Sequence, residues 1–326
     1  MAKVINGGLD ALKVALSCMV LAVHCGFLGG NGTLLGYQLN SGIFRITVPV
    51  FFLISGYYLY HSLQRDPHSI KLWLRRAVTL YVFWMILYAP FYITPATFEG
   101  LRGAIALIKH WVIGFFHLWY VIAMIGGGVM IYLLRHQSNR TLLCLTLLLY
   151  CTGAVLQYMR AYYEIPVPLL QHINNNDYVG RNFLLVAFPL MTLGFLIARN
   201  RLQEKITTGQ TLTLLLFGCA LVLAEATLHY QLQQDSLRKL NFDCMLSILI
   251  AAPALFLLPL RHVIEGHSLI PAKLSAAIYY LHPLLLILLI GIGFEESTST
   301  AWIVLALTLP ASALLILTSR RLRFVL

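Results

Sequence analysis

Four polar residues near the N-terminus share one face of a predicted helix. They are Asp10, Lys13, Ser17 and His24. At 100° per residue, all four fall within about 60° of one another on the helical wheel. The eleven positions from Lys13 to His24 correspond to about 16 Å along the helix axis. An anionic ligand held at Lys13 could therefore extend along this face to an imidazole able to act as a base or a nucleophile. The alternative is structural, with Asp10 paired to Lys13 and His24 satisfied by a neighbouring carbonyl.

Arg45 is the next candidate along the chain. A guanidinium that faces the protein would suit a carboxylate, a phosphate or a developing oxyanion, whereas one at the surface would reach lipid headgroups. Pro49 and the pair Ser55-Gly56 follow it and predict a kink or the close approach of a neighbouring helix. The basic cluster of Lys71, Arg75 and Arg76 could hold a phosphate or mark the cytoplasmic end of a span.

Other polar groups occur singly within apolar surroundings. Ser55, Tyr57, His117, Trp119, Arg181 and His282 are candidates for contact with a substrate, and Glu225 is an isolated carboxylate. Ionisable side chains at membrane depth cost several kcal/mol unless paired or hydrated, so each such group is a functional hypothesis. The six cysteines show no zinc-ligand spacing, and no metal is predicted.

The composition excludes a soluble globule. Hydrophobic residues make up 59% of the 326 residues, the mean hydropathy is +0.79, and only 11% are charged. A span needs about 20 mostly apolar residues, and continuously apolar runs favour helices over barrel strands. We therefore predict an all-α integral membrane protein, a bundle of ten transmembrane helices. The spans are placed at 9–28, 43–61, 77–93, 117–134, 141–160, 181–198, 209–230, 242–260, 274–294 and 301–319.

The net charge of +11 follows the same topology. Fifteen of the 23 Lys and Arg residues fall at the N-terminus and in the loops after even-numbered spans, and six fall in the opposite loops. The positive-inside rule then predicts that both termini are cytoplasmic, and loops of a membrane protein explain the charge without nucleic acid. We expect one membrane domain over 1–326, with a retained first span and no separate soluble domain. Segment 101–116 is expected to be either an interfacial amphipathic helix or a re-entrant segment.

Several blocks resemble acyltransferase family 3, a family of membrane proteins. Lys13-x10-His24 resembles the Arg-x10-His signature of the first span in that family, and Arg45-x-x-VPVFFLISGYYL resembles the block that follows it. HLWYV at 117–121, RNFLLVAFPLMTLGFLIAR at 181–199 and AAIYYLHPLLL at 276–286 are similar to later family segments and occur in the expected order. The resemblance covers essentially the whole chain.

The resemblance implies a multi-pass protein of the bacterial inner (cytoplasmic) membrane. Such a protein would transfer an acyl group, most often acetyl, from cytoplasmic acyl-CoA to a hydroxyl of an envelope glycan or lipid-linked saccharide. His24 would be the catalytic base or acyl acceptor, Arg45 would match the arginine of the second block, and Asp10 would fix Lys13. Acetyl-CoA would be the donor substrate, contacted by Lys13, Lys71, Arg75 and Arg76.

Two departures from the family pattern affect the contacts with coenzyme A. Lys13 keeps a positive charge but lacks the bidentate fork of arginine. The run Arg75-Arg76-x-x-Thr79 lacks the final basic residue of the family pattern. The segment 181–199 also resembles the membrane half of vancomycin-resistance serine racemases, which makes a transporter of small amino-acid-like solutes the alternative. The sequence leaves a homo-oligomer open.

Overall fold

The computed structural model describes residues 5–98, 100–163, 180–233, 242–322 and 325–326, and most of these residues are helical. The α-helices are α1 (Gly7–His24), α2 (Leu34–Tyr37), α3 (Thr47–Arg65), α4 (Ser69–Leu87), α5 (Ala89–Tyr92), α6 (Gly100–Ile113), α7 (Trp119–Leu134), α8 (Asn139–Tyr162), α9 (Phe188–Arg199), α10 (Leu202–Lys205), α11 (Thr208–Leu232), α12 (Ile248–Arg261), α13 (Ile270–Gly291) and α14 (Thr298–Thr318). Short 3₁₀ turns occupy Phe27–Gly32, Ile43–Ile46, Pro95–Phe98 and Phe116–Leu118, and π-helical turns occupy Gln38–Gly42 and Phe183–Ala187.

Seven helical stretches within the described residues are long and apolar enough to cross a membrane. They are Gly7–His24, Leu34–Arg65, Phe116–Leu134, Asn139–Tyr162, Thr208–Leu232, Ile270–Gly291 and Thr298–Thr318. Phe183–Arg199 and Ile248–Arg261 are shorter apolar helical stretches. The all-α membrane class is therefore confirmed, whereas the count of ten spans and the cytoplasmic termini stay predictions. Four basic residues in the charge argument, Lys3, Arg238, Lys239 and Arg323, lie outside the described residues.

Polar side chains determine where several of these helices begin. Asn6 accepts a hydrogen bond from the amide of Leu9 at the start of α1. Thr207 and Gln210 form a reciprocal capping box at the start of α11. Each cap satisfies amides that have no partner inside the first helical turn. Apolar runs alone do not define these boundaries.

Two helix ends differ from the predicted spans. The span predicted over 9–28 ends at His24, because Gly26 has a left-handed φ of 65° and leaves the helical conformation. The span predicted over 242–260 becomes helical only at Ile248. Residues 242–247 precede the helix as irregular backbone.

The chain divides into two compact units. The terminal unit comprises Met1–Ile54, Arg199–Phe324 and Leu326, and the central unit comprises Ser55–Ala198 and Val325. In the terminal unit, a core of aliphatic side chains joins α1, α13 and α14, with Leu21, Ile278 and Val304 at its centre. A short antiparallel pairing of β1 (Ile5–Asn6) with β2 (Glu265–Gly266) fixes the start of α1.

Helix α6 of the central unit is amphipathic. An amphipathic helix was one of the two alternatives for segment 101–116, and a re-entrant segment was the other. Its exposed apolar stripe consists of Leu101, Ile105, Ile108 and Val112. The opposite face is anchored by the hydroxyl of Tyr81, which donates to the carbonyl of Trp111 at 2.7 Å. A helix of 14 residues is too short to span a bilayer, so these features favour the interfacial alternative. Burial, and then the charge of Lys109, lower the pKa of His110 on this helix.

The predicted close approach at Gly56 is present within the central unit. A Cβ atom at this position would overlap the carbonyl oxygen and carbonyl carbon of Met191 on α9. Backbone atoms cannot move aside as a flexible side chain can, so α3 packs directly on α9 only because residue 56 has no side chain.

We expect Gly56→Ala to destabilise the folded protein by about 1–3 kcal/mol, the usual cost of overpacking a well-packed contact. The measurement is the thermal unfolding midpoint of the purified protein in detergent. Gly209→Ala is the matched control, because a Cβ atom there meets no atom within 4 Å. Equal unfolding midpoints for the two variants would contradict the close contact.

Candidate active site

The polar face of α1 packs against a second polar face on α13 in the terminal unit. The hydroxyl of Ser17 donates to the carbonyl of Ser275 at 2.9 Å, and the hydroxyl of Ser275 donates to the carbonyl of Lys13 at 2.9 Å. Both serine side chains are buried. These bonds fix the rotation of α1 about its own axis and turn the predicted stripe towards α13 rather than towards lipid.

His24 meets His282 two helical turns further along the same contact. Their ring centroids are 5.5 Å apart with an interplanar angle of 38°. Ser17 and His24 are seven residues apart, as are Ser275 and His282, so equal steps along both helices lead from the serine contact to the histidine contact. The two helices therefore run parallel in this region. The predicted ten-span topology likewise has the first and ninth spans, both odd-numbered, run in the same direction across the membrane.

The imidazole of His282 has a defined orientation. Its Nδ1 lies 2.7 Å from the carbonyl oxygen of Ile278, and a carbonyl can only accept a hydrogen bond. Nδ1 therefore bears the hydrogen in the neutral ring, and Nε2 is the acceptor. His282 is completely buried and His24 is half-buried. The rings of His24 and His282 are thus in contact at the end of the stripe far from Lys13.

Lys13 and Asp10 form an ion pair at the other end of the stripe. Their side-chain atoms Nζ and Oδ1 are 2.8 Å apart, with side-chain exposures of 18% and 8%. The pairing matches the i,i+3 contact considered from the sequence. Asp10 also lies in the first turn of α1, where the helix dipole favours negative charge. Lys13 is thus held by Asp10 on the face that leads to His24.

Arg45 lies in the 3₁₀ turn Ile43–Ile46, immediately before α3. Its Nη1 atom donates to Oδ1 of Asp243 at 2.7 Å, and the two side chains are 14% and 13% exposed. The guanidinium therefore faces a carboxylate within the terminal unit, as the inward-facing alternative required. One carboxylate uses only part of the donor set of an arginine, which has five N–H groups.

Glu225 on α11 has partners that explain the delayed start of α12. Its carboxylate accepts hydrogen bonds from the amides of Leu246 and Ser247, each at 2.9 Å, and from the hydroxyl of Ser247. These two amides immediately precede the first residue of α12. The predicted isolated carboxylate is therefore a cap supplied by another helix.

The central unit contains the remaining sequence candidates. Lys71, Arg75 and Arg76 are exposed on α4. His117 is buried beside Tyr88, with ring centroids 5.1 Å apart, in the turn that leads into α7. Trp119 begins α7 and is half-buried, as is Arg181, which precedes the π-helical turn Phe183–Ala187.

Two further candidates lie on α3 of the same unit. The hydroxyl of Ser55 lies 3.3 Å from the hydroxyl of Tyr120, and the ring of Tyr57 packs edge-on against His61 with centroids 4.7 Å apart. Of the eight candidates in the central unit, His117, Ser55 and Tyr57 thus have aromatic neighbours. Their contact with a substrate stays a prediction.

Two residues that contact the candidates, Asp243 and Ser275, were not predicted from the sequence. Asp243 begins the Asp-Cys-Met-Leu run before α12, and its charge next to a long apolar stretch was a usable signal. Ser275 has a weaker signal, which is its seven-residue spacing from His282. Among the described residues, no group of three His, Cys, Asp or Glu side chains is arranged to hold a metal ion.

Two known proteins are similar in sequence to most of this chain. The chain is 26% identical over 305 residues to an amino-acid racemase of Enterococcus faecalis, a match that covers 88% of this chain and 42% of the relative. It is 27% identical over 306 residues to a serine/alanine racemase of Enterococcus gallinarum, covering 85% and 40%. The chain thus spans about two fifths of these relatives. No solved structure matches significantly.

The family comparison covers nearly the whole chain. A family model described as an acyltransferase domain, acyltransferase 3, matches residues 6–319. The matched region includes both helices of the histidine pair, the ion pair of Arg45 with Asp243, and every candidate of the central unit. The protein is a multi-pass membrane protein. Its chain belongs to acyltransferase family 3.

Proposed function

We propose that the protein transfers an acyl group, in the first instance acetyl, from cytoplasmic acyl-CoA to a hydroxyl of an envelope glycan or lipid-linked saccharide. The proposed location is the bacterial inner membrane. The observation that supports it best is the contact of His24 with His282, because His24 shares one helix face with Lys13. A basic group and an imidazole about three helical turns apart suit a long donor with an anionic head and a reactive thioester at its other end.

In the proposed reaction, the acceptor hydroxyl oxygen attacks the thioester carbonyl carbon. A carbon–oxygen bond forms and the carbon–sulfur bond breaks. The hydroxyl proton passes to His24 and then to the departing sulfur, which leaves as the coenzyme A thiol. If His24 is the nucleophile instead, its ring nitrogen attacks the thioester carbon, the carbon–sulfur bond breaks, and the departing sulfur takes the proton of the other ring nitrogen. The acceptor hydroxyl oxygen then takes the acyl group from the ring, and the hydroxyl proton returns to the ring. His282 holds the reactive tautomer in either case.

The other residues of the terminal unit have supporting roles in this proposal. Lys13, fixed by Asp10, contacts a phosphate of the donor. Arg45 stabilises the negative charge that develops on the thioester oxygen. Ser17 and Ser275 hold α1 and α13 together and keep the stripe facing inward.

Acyl transfer by the purified protein tests this proposal. The protein is reconstituted in nanodiscs with acetyl-CoA labelled in its acetyl group and with an extract of envelope lipids and glycans. We expect the label to enter the extract and free thiol to appear in equal amount. Neither product above the level of empty nanodiscs would overturn the proposal.

The racemase relatives support a second candidate, a transporter of small amino-acid-like solutes. Both relatives are named for amino-acid substrates, and this chain matches only part of each. In proteoliposomes without acyl-CoA, a transporter would accumulate labelled serine against a gradient. An acyltransferase would show no such uptake. The same protein preparation serves both assays.

The basic cluster on α4 gives a separate prediction about donor binding. Replacing Lys71, Arg75 and Arg76 together with glutamine is expected to raise the KM for acetyl-CoA about tenfold with little change in kcat, because exposed ion pairs with phosphate are individually weak. The effect should shrink at high salt. Arg135→Gln, at the residue that follows α7, is a control for loss of one basic residue. Unchanged KM in the triple variant would remove this cluster from the donor site.

A further inference from the structure

The carboxylate of Glu225 lies half-buried on an apolar helix and accepts three hydrogen bonds. Oε1 accepts from the amide of Leu246, and Oε2 accepts from the amide and the hydroxyl of Ser247. The side chain is 15% exposed. An ionised carboxylate away from water is costly unless hydrogen-bonded, and these three bonds offset that cost. Glu225 therefore binds a specific backbone segment rather than solvent.

That segment lies at the N-terminus of α12. Ser247 is the N-cap residue, and its own side chain forms no capping bond to the helix. The first amides of a helix have no partner in the helix itself, and the helix dipole favours a negative charge beside them. Glu225 supplies both an acceptor and a negative charge from α11. It thereby fixes where α12 begins and leaves residues 242–247 in irregular conformation.

Three apolar side chains of the irregular segment are buried, whereas that of Leu246 is exposed. Phe242, Cys244 and Met245 are almost completely buried. The ring of Phe242 stacks on His229 of α11, with centroids 3.9 Å apart and an interplanar angle of 15°. His229 in turn places Nε2 3.8 Å from Oε1 of Glu225. One turn of α11 thus contacts both ends of the segment.

Asp243 lies inside this segment and holds the guanidinium of Arg45 at 2.7 Å. A second contact connects Arg45 to the same part of α11. A Cβ atom on Gly42, three residues before Arg45, would lie 3.0 Å from the Cβ of Ala226, which follows Glu225. The backbone before Arg45 and the carboxylate that binds Arg45 are therefore both positioned against α11 around Glu225.

We propose that Glu225 is a positioning residue for Arg45 and acts through Asp243. The Glu225 carboxylate fixes segment 242–247, the segment fixes Asp243, and Asp243 aims the guanidinium. The inference rests on the proposed function only in giving Arg45 a role at the reacting group. The placement of the segment by Glu225 is a separate claim with a test of its own.

The kinetic test compares Glu225→Gln, Asp243→Asn and the double variant in nanodiscs. Glutamine keeps the size of glutamate but replaces one acceptor oxygen with an NH2 group, which opposes the Ser247 donors. We expect each single variant to lower kcat by up to about 100-fold, the cost of misplacing a group by about 1 Å, with KM for acetyl-CoA unchanged. Glu265→Gln, an exposed carboxylate on β2, is the control and should match wild type.

The double variant distinguishes a shared route from two separate effects. If Glu225 acts through Asp243, the double variant should be no slower than the slower single variant. Multiplicative losses would overturn the proposed route. Wild-type kcat in either single variant would overturn the positioning role.

Cys244 provides a readout that does not depend on activity. Cys244 and Cys25 are both fully buried, and they lie at different places in the terminal unit. Maleimide labelling followed by peptide mass spectrometry should show faster modification of Cys244 in Glu225→Gln, with Cys25 unchanged. Equal protection of Cys244, or acceleration at both cysteines, would overturn the claim that Glu225 specifically fixes this segment. If wild-type protein transfers no acyl group, the proposed function fails, and this labelling result still decides the structural claim.

Discussion

Replacing His24 with alanine is expected to lower kcat for acyl transfer by about 1,000-fold, because the proposed reaction loses the group that accepts the hydroxyl proton. His24 lies on the same helix face as Lys13 and contacts a second, buried imidazole, that of His282. The loss should fall on kcat, since Lys13 and the exposed basic residues would still bind the donor.

The matched control is His267→Ala. His267 is an exposed imidazole in the loop before α13, so its loss should leave kcat unchanged. Circular dichroism and thermal unfolding in detergent would establish that His24→Ala is folded. Wild-type kcat in folded His24→Ala protein would contradict the role given to this histidine.

Rapid-quench measurement separates the two chemical roles left open for His24. With labelled acetyl-CoA and no acceptor, a nucleophilic histidine would release one equivalent of thiol and hold the label on the protein. A general base would release no thiol until the acceptor is added. His282→Gln should slow either reaction, because the ring that orients His24 is lost.

Replacing Arg45 with glutamine is expected to lower kcat by about 100-fold to 1,000-fold, the range for losing a donor to a developing oxyanion. Arg45→Lys should fall between wild type and glutamine, since lysine keeps the charge but loses the planar fork. Breaking a largely buried ion pair by removing one partner also destabilises a protein, by about 3–5 kcal/mol when burial is complete. Stability and activity must therefore be measured together.

The double variant Arg45→Gln/Asp243→Asn separates these two effects. It removes both charges, so no ionised carboxylate at position 243 faces a neutral side chain at position 45. We expect the thermal unfolding midpoint to recover towards wild type while kcat stays low. Recovery of kcat in the double variant would mean that Arg45 has only a structural role.

The helical membrane class and the polar face of α1 were predictable from the sequence because both follow from local patterns. Long apolar runs predict helices, and the spacing of Lys13, Ser17 and His24 places them on one face. The sequence left two alternatives for segment 101–116, and the exposed apolar stripe of α6 favours the interfacial one. Gly56 was correctly identified as a position of close approach, although the sequence could not name Met191 as its neighbour.

The partners of the candidate residues were not predictable in the same way. Arg45 binds a residue 198 positions away, and Ser17 binds one 258 positions away. Local periodicity contains no information about such pairs. The seven-residue spacing shared by Ser17 with His24 and Ser275 with His282 becomes informative only once α1 and α13 are known to run parallel.

The start of α12 shows why helix ends were less predictable than helix centres. Four of the six residues 242–247 are apolar, and hydropathy alone extends the helix through them. The carboxylate of Glu225, on α11, accepts hydrogen bonds from the amides of Leu246 and Ser247, and α12 begins only after these two residues. The interaction is tertiary, and its energy is larger than the small preference of these residues for helix.

The most direct test of the central claim is the mass of the envelope glycan or glycolipid in cells. Cells that lack the protein would be compared with the same cells expressing wild type or His24→Ala at equal levels in the membrane. The account predicts that wild type adds the mass of an acyl group, in the first instance acetyl, and that His24→Ala does not. Glycan masses that are identical in all three strains, or an acyl group added equally by His24→Ala, would contradict it.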